Sequence, residues 1–128
     1  MNAAYEALPL ERRADLDKLQ TANQRISSAR LAVANPHTVA EQARRAEPLV
    51  VHPLVRTHPD RGTKAIWFHA GKTETITGLD PFETETCLKN LLTESVQEEF
   101  SYTHDWVLGD MLIVDNRTAM HKAGIDTI

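Results

Sequence analysis

Residues 49–68 read LVVHPLVRTHPDRGTKAIWF, and this stretch decides the fold. It contains two β-rich runs, 49–56 and 64–68, separated by a Pro, an Asp and a Gly that favour a tight turn. The pattern predicts an antiparallel hairpin. Because Pro53 has no backbone N–H to give to a neighbouring strand, we expect it at a bulge or on a sheet edge.

Two amphipathic helices are predicted on either side of this hairpin. The first runs from Leu10 to about Gln20, with Leu16 and Leu19 on the side that packs on a sheet. The second begins after Asp80, which is followed by Pro81 and then by Glu83, the signature of a capping box. Its apolar face is formed by Phe82, Cys87, Leu88, Leu91 and Leu92.

Two further strands are predicted near the end of the chain, over Phe100 to Val107 and Met111 to Asp115, joined at Leu108-Gly109-Asp110. The run Met111-Leu112-Ile113-Val114 is continuously apolar, so we expect it to be buried on both faces. The polar stretch from Ser27 to Pro48 predicts a loop with a short helix near Val39 to Arg45. Strands outnumber helices, which indicates a mainly β fold with covering helices.

Composition limits the chain to one globular core and excludes several partners. The 128 residues are 41% hydrophobic and 25% charged, which suits one small domain. The net charge of -4 comes from interspersed acids and bases, so we expect no nucleic-acid partner. No apolar run approaches the roughly 20 residues of a membrane span, and we expect a cytoplasmic protein without a membrane partner. Cys87 is the single cysteine, and a small buried side chain is expected rather than a nucleophile.

Histidine is the commonest metal ligand, and the chain has six histidines. Non-haem Fe(II) oxygenases hold their metal with two His and one carboxylate. His58-Pro59-Asp60 matches a His-x-Asp pair formally, with His121 as a distant third donor. Because this match lies in the predicted turn, we interpret it as a turn, and a small metal site of His58, Asp60 and His121 is the minor alternative. His121 follows a predicted buried strand and a polar pair, a position that suits a strand end facing a polar cavity.

Several segments resemble successive blocks of the TauD/TfdA family of Fe(II)- and 2-oxoglutarate-dependent dioxygenases. The blocks are HPLVRTHP at 52–59, ITGL at 76–79, WVLGD at 106–110 and DNRTAMH at 115–121, and their order and spacing also fit. The opening AAYEALP at 3–9 resembles the helix that follows the first metal motif of that family. The resemblance therefore covers nearly the whole chain. It implies an α+β fold built as a double-stranded β-helix, a jelly roll of the clavaminate synthase-like type, which is incomplete here.

The resemblance also implies roles for particular residues. His121 would be the distal iron ligand, and His58-Pro59-Asp60 would be the hairpin turn of the family. His69 and Trp106 would lie near the substrate pocket, although an ordinary structural role stays open for both. Asn116 and Arg117 would at most support His121. The implied cofactors are Fe(II) and 2-oxoglutarate as co-substrate, and the implied partners are O2 and a small organic substrate whose identity is open.

The family pattern predicts a single partial domain over 1–128, with a helical and loop segment at 1–48 and jelly-roll strands with one inserted helix at 49–128. Its His-x-Asp pair and a co-substrate-binding Thr precede the matched region, and its Arg for 2-oxoglutarate follows the last His. We therefore expect the chain as given to be catalytically incompetent. Unpaired sheet edges would favour aggregation or pairing into a homo-oligomer.

Two functions follow from the resemblance. One is a part of an oxygenase that hydroxylates a small organic substrate while decarboxylating 2-oxoglutarate to succinate. The alternative is a non-catalytic remnant or interaction module of the same fold.

Overall fold

The computed structural model describes residues 1–24 and 48–122. Its helices are α1 (Asn2–Ala7), α2 (Leu10–Leu16) and α3 (Pro81–Ser95), and its strands are β1 (Gln20–Asn23), β2 (Val50–Pro53), β3 (Val55–Thr57), β4 (Lys64–Ile66) and β5 (Thr73–Ile76). A short 3-10 turn covers Glu98–Phe100. The predicted loop and helix between Ser27 and Pro48 lie, apart from Pro48 itself, outside the described residues.

The strands form two antiparallel sheets. In the first, β1 lies between β2 and β5, with Gln20 opposite Pro53 and Thr21 opposite Ile76. In the second, β3 pairs with β4, with Val55 opposite Ile66. The hairpin predicted from residues 49–68 is therefore confirmed for 55–57 with 64–66, whereas 50–53, predicted as part of the same strand, pairs with β1 in the other sheet. Pro53 ends the edge strand β2, where a missing backbone N–H is tolerated, as predicted.

In the described residues, an apolar core joins the second sheet to the three helices. Leu54 and Ile66 lie at its centre and are almost completely buried, together with Leu91 from α3. The buried cluster consists of Tyr5, Leu16, Leu54, Val55, Ile66, Phe68 and Leu91. Cys87, Leu88 and Leu92 pack against its margin, which confirms most of the predicted apolar face of α3. Within residues 1–24 and 48–122, no helix is long and apolar enough to cross a membrane.

Phe82 was wrongly assigned to the apolar face of α3, since its side chain is 77% exposed. In the first turn of the helix, the buried position belongs to Thr84, whose hydroxyl accepts a hydrogen bond from the N–H of Ile76 at 3.2 Å. Residue 82 lies two positions away, about 200° around the helix axis. It therefore faces away from the sheet.

The helix predicted from Leu10 to about Gln20 is shorter than expected. It ends at Leu16, and Gln20–Asn23 forms the central strand β1. Thr21 and Ala22 are buried between β2 and β5. Two neighbouring strands satisfy the backbone groups of this segment, and this pairing outweighs the helical spacing of Leu16 and Leu19.

The two strands predicted over Phe100 to Val107 and Met111 to Asp115 are absent from the structure of these residues. Met111 and Ile113 are 86% and 87% exposed, so the expected burial on both faces is wrong. A strand needs a neighbour for its backbone groups, and no strand of the described part pairs with this segment. The turn between the two runs is confirmed, because the Asp110 N–H donates to the carbonyl of Val107 at 3.0 Å.

The capping box of α3 is present as predicted. The Asp80 carboxylate accepts the N–H of Glu83 at 2.8 Å, and the Glu83 carboxylate accepts the N–H of Asp80 at 2.9 Å. Asp80→Ala is expected to lower the free energy of unfolding by about 1 kcal/mol, because it leaves the N–H of Glu83 without its acceptor. Urea titration measures the loss. Asp80→Asn keeps an acceptor at the cap and should retain most of the stability; equal losses in both variants would contradict the capping role.

Candidate functional site

The candidate metal ligand His121 lies near the end of the described chain. It follows a turn at residues 115–119, here called the Asp115 turn, in which the carbonyl of Asp115 accepts the N–H groups of Thr118 and Ala119 at 3.2 and 3.0 Å. The side chain of His121 is exposed. Within residues 1–24 and 48–122, no three His, Cys, Asp or Glu side chains are placed to hold a metal ion.

An Fe(II) site of the expected kind needs three converging donors. The described residues do not provide them, so they do not form an iron site by themselves. The role of His121 as a ligand stays a prediction from the family resemblance.

The minor alternative, a metal site of His58, Asp60 and His121, is wrong because the His58 ring is already occupied. Its Nδ1 accepts the backbone N–H groups of Asp60 and Arg61 at 3.1 and 3.2 Å. Because Nδ1 accepts hydrogen bonds, it carries no proton, and the ring proton lies on Nε2. Nε2 donates this proton to Asp115 Oδ2 at 2.9 Å. Neither nitrogen is left to bind a metal. The interpretation of His58-Pro59-Asp60 as a turn is confirmed.

The Asp115 carboxylate accepts hydrogen bonds from both His58 and Arg117. Besides His58, its carboxylate accepts the backbone N–H of Arg117 at 2.9 Å and the Nε and Nη2 groups of the same guanidinium at 3.0 and 3.1 Å. Arg117, followed by His58, holds the pKa of the Asp115 carboxyl well below its usual range. The same contacts raise the pKa of Arg117. The result is a compact polar cluster at the start of the turn that leads to His121.

The contact between His58 and Asp115 joins two segments of the family pattern that lie 57 positions apart. The sequence carries no local signal for this pairing, because its two partners lie so far apart along the chain. Arg117, expected to support His121, does contribute to the turn through Asp115. The side chain of Arg117 also lies 3.6 Å from Asp60, at an exposed position.

His69 and Trp106, predicted near a substrate pocket, both have local contacts. The His69 Nδ1 accepts the N–H of Gly71 at 3.0 Å, in the turn before β5. Trp106 is 65% exposed and meets the ring of His104 edge-on, with centroids 4.6 Å apart. These contacts fit local structural roles, and the place of both residues near a substrate remains a prediction.

His104 and Asp110 organise the turn that follows Trp106, which the sequence did not indicate. The His104 Nε2 lies 3.0 Å from the Asp110 carboxylate, and the same carboxylate oxygen accepts the N–H of Val107 at 2.9 Å. Tyr102 hydroxyl lies 2.9 Å from the other His104 nitrogen. These contacts hold residues 102–110 together although the segment has no strand neighbour in the described structure.

Cys87 fits its predicted role. The side chain is half-buried on α3, and this burial raises the pKa of the Cys87 thiol. A raised pKa leaves less of the reactive thiolate at neutral pH, which is unfavourable for a nucleophile.

The lowered pKa of Asp115 predicts a response to acid. A carboxyl whose pKa is depressed by folding stabilises the structure above its ordinary pKa of about 4, and this contribution disappears as the pH falls toward the lowered value. We expect the Asp115 turn to keep its hydrogen bonds to His58 and Arg117 at pH 5 and to lose them as acid protonates the carboxylate. NMR from pH 6 downward measures both effects. The ¹³C shift of the Asp115 carboxyl reports its protonation, and the amide shifts of Thr118 and Ala119 report the loosening of the turn. An ordinary aspartate titration near pH 4 would contradict the described contacts.

Comparison with known proteins identifies relatives over almost the whole chain. The family model described as "Taurine catabolism dioxygenase TauD, TfdA family" matches residues 1–126. The chain is 35% identical over 122 residues to an alpha-ketoglutarate-dependent 2,4-dichlorophenoxyacetate dioxygenase of Cupriavidus pinatubonensis, which covers 95% of this chain and 42% of the relative. It is 33% identical over 129 residues to an (S)-phenoxypropionate/alpha-ketoglutarate-dioxygenase of Sphingobium herbicidovorans, covering 96% and 44% of the two chains. The chain thus spans about two fifths of the length of these relatives.

Solved structures agree with this comparison. The structure of AAD-2 in complex with Mn(II) and N-oxalylglycine superposes with a TM-score of 0.71 at 29% identity, over 84% of this chain and 42% of that one. A taurine dioxygenase from Burkholderia xenovorans superposes with a TM-score of 0.60 at 25% identity, over 84% and 33%. The described sheets and helices therefore have the arrangement of the matching part of these proteins.

Proposed function

This chain belongs to the taurine catabolism dioxygenase TauD/TfdA family, and from that premise we propose that it is the C-terminal part of an Fe(II)- and 2-oxoglutarate-dependent dioxygenase. The whole polypeptide would hydroxylate a small organic substrate and decarboxylate 2-oxoglutarate to succinate. The observation that carries this proposal is the 35% identity, over 95% of the chain, to a relative named as an alpha-ketoglutarate-dependent dioxygenase.

The proposed fold of the whole polypeptide is a double-stranded β-helix. Two antiparallel sheets with covering helices, and the TM-score of 0.71 to a family structure, support it. The proposal also explains the exposed apolar run Met111 to Val114, which has the composition of a buried strand. We propose that strands outside the described residues cover this run in the whole polypeptide.

His121 is the proposed iron ligand of this part of the polypeptide. Since the described residues offer no group of three donors, the remaining donors would come from outside them, as the family pattern of two His and one carboxylate requires. The described residues alone are then expected not to bind Fe(II) tightly.

Phenoxyalkanoic acids are the first substrates to test. Two of the relatives are named for 2,4-dichlorophenoxyacetate and (S)-phenoxypropionate. The described residues do not fix the substrate, because His69 and Trp106 have contacts that local structure explains.

A non-catalytic remnant or interaction module is the second candidate. The exposed apolar run at 111–114, a surface of the kind that contacts another chain, favours it.

The DNA on either side of these 128 codons separates the two candidates first. The dioxygenase proposal expects an open frame with a His-x-Asp motif upstream and an Arg downstream. The complete polypeptide, titrated with Fe(II) and 2-oxoglutarate without oxygen, should then show a metal-to-ligand charge-transfer band and should form succinate in air. A frame bounded at these codons, or a complete polypeptide without the band, would overturn the proposal in favour of the remnant.

A further inference from the structure

We infer that His58 is a positioning residue for His121, because its hydrogen bond to Asp115 fixes the Asp115 turn that leads to that histidine. The link to iron rests on the proposed function. The fixing of the turn does not, and it can be measured on the 128-residue chain itself.

The imidazole of His58 forms hydrogen bonds to two turns, the one between β3 and β4 and the Asp115 turn. Its side chain is 5% exposed, so both nitrogens need partners within the protein. The Nδ1 side receives the N–H groups of Asp60 and Arg61 and shapes the turn between β3 and β4. The Nε2 side reaches across to Asp115 at 2.9 Å. One ring therefore ties the Asp115 turn to a hairpin that packs in the core.

The hydrogen bonds of Asp115 connect this contact to the residues that precede His121. Its carbonyl accepts the N–H groups of Thr118 and Ala119, and its carboxylate accepts three N–H groups of Arg117. These bonds make residues 115–119 one unit whose orientation follows the Asp115 side chain. His121 stands two residues after this unit, so the direction in which it leaves the turn depends on where Asp115 is held.

Other contacts of this unit with the hairpin are weaker. The Arg117 guanidinium lies 3.6 Å from the Asp60 carboxylate, and the two side chains are 50% and 77% exposed. An exposed ion pair of this length contributes little. The chain that precedes Asp115 has no strand neighbour in the described part. The hydrogen bond from His58 to an ionised carboxylate is of the stronger, charge-assisted kind, which makes it the stronger of these two attachments.

Two substitutions of His58 separate its tasks. His58→Asn keeps an acceptor near the position of Nδ1, which suits the turn N–H groups, but its amide is too short to reach Asp115. His58→Gln extends far enough to donate to Asp115 and lacks the acceptor at the Nδ1 position. Hydrogen exchange of the Thr118 and Ala119 amides should rise about tenfold or more in His58→Asn, the effect of losing one hydrogen bond to a charged group. In His58→Gln, these two amides should stay close to wild type.

Exchange in α3 serves as the internal control for folding. Unchanged protection at Leu91 and unchanged exchange at Thr118 and Ala119 in His58→Asn would overturn the inference. If His58→Asn does not fold, Asp115→Leu removes the same bond together with the Arg117 contacts and should raise the exchange of the two amides at least as much. Wild-type exchange in a folded Asp115→Leu would overturn the inference as well.

Iron affinity links the turn to the proposed site. In the complete polypeptide, His58→Asn should weaken Fe(II) binding about 10- to 100-fold, the usual effect of losing a residue that orients a ligand, and His58→Gln should restore most of it. A loosened turn with wild-type iron affinity would contradict the positioning of His121 while leaving the dioxygenase proposal intact. A wild-type polypeptide without iron affinity would contradict that proposal, while the exchange measurement would still decide whether His58 holds the turn.

Discussion

Leu91→Ala is expected to lower the free energy of unfolding of this chain by about 3 kcal/mol, within the roughly 2–5 kcal/mol found for buried Leu to Ala changes. Leu91 is fully buried and belongs to the cluster that joins α3 to α1, α2 and the β3–β4 hairpin. The smaller side chain loses apolar contacts and leaves a cavity that the sheets cannot fill. Domains are stable by only about 5–15 kcal/mol, so urea unfolding should show a markedly lower midpoint or no folded baseline.

The matched control is the same substitution at an exposed helical position. Leu10, the first residue of α2, is 78% exposed, and Leu10→Ala should change stability by about 0.5 kcal/mol or less. Equal effects of the two substitutions would show that the described core does not hold the chain together.

His121→Ala is expected to weaken Fe(II) binding by the complete polypeptide more than about 100-fold. Loss of a residue that only orients a ligand already costs about 10- to 100-fold, and loss of a ligand from a three-donor site removes a direct bond as well. Competition with a coloured chelator under anaerobic conditions measures the affinity.

His52→Ala is the control for this substitution. The His52 ring packs edge-on against Trp67 with centroids 5.0 Å apart, in the part of the protein formed by the β2 edge strand. Its loss should leave iron affinity within a few-fold of wild type. If His121→Ala behaves like His52→Ala, then His121 is not a ligand.

The features that sequence predicts correctly are local ones. The capping box at Asp80 spans four residues, and the turn at 58–62 lies between the two halves of one hairpin. Such patterns carry their own partners within a few positions. Strand β1 and strand β5 were missed, because Gln20–Asn23 and Thr73–Ile76 lack an alternating apolar pattern and become strands by pairing with each other and, for β1, with β2.

The run at 111–114 shows the opposite failure. Its apolar residues predict a buried strand, but the described chain offers the run no neighbouring strand, and the run is exposed and forms no strand. An apolar segment is buried only when a neighbouring strand or helix covers it. A single sequence does not reveal whether that partner is present.

The candidate site combines both kinds of result. The family resemblance selects His121, and the structure adds the bond between His58 and Asp115 that no local pattern indicates. His58, which formally matches a metal motif, shapes the turn between β3 and β4 and also donates to Asp115.

The most direct test of the central claim counts the histidines bound to the metal. The complete polypeptide, labelled with ¹⁵N-histidine and loaded with vanadyl in place of Fe(II), would be measured by pulsed electron paramagnetic resonance. Coupling to two imidazoles in the wild type and to one in His121→Ala is the expected result for a site of two His and one carboxylate. The same number of coupled imidazoles in both proteins would contradict the assignment of His121 to the metal.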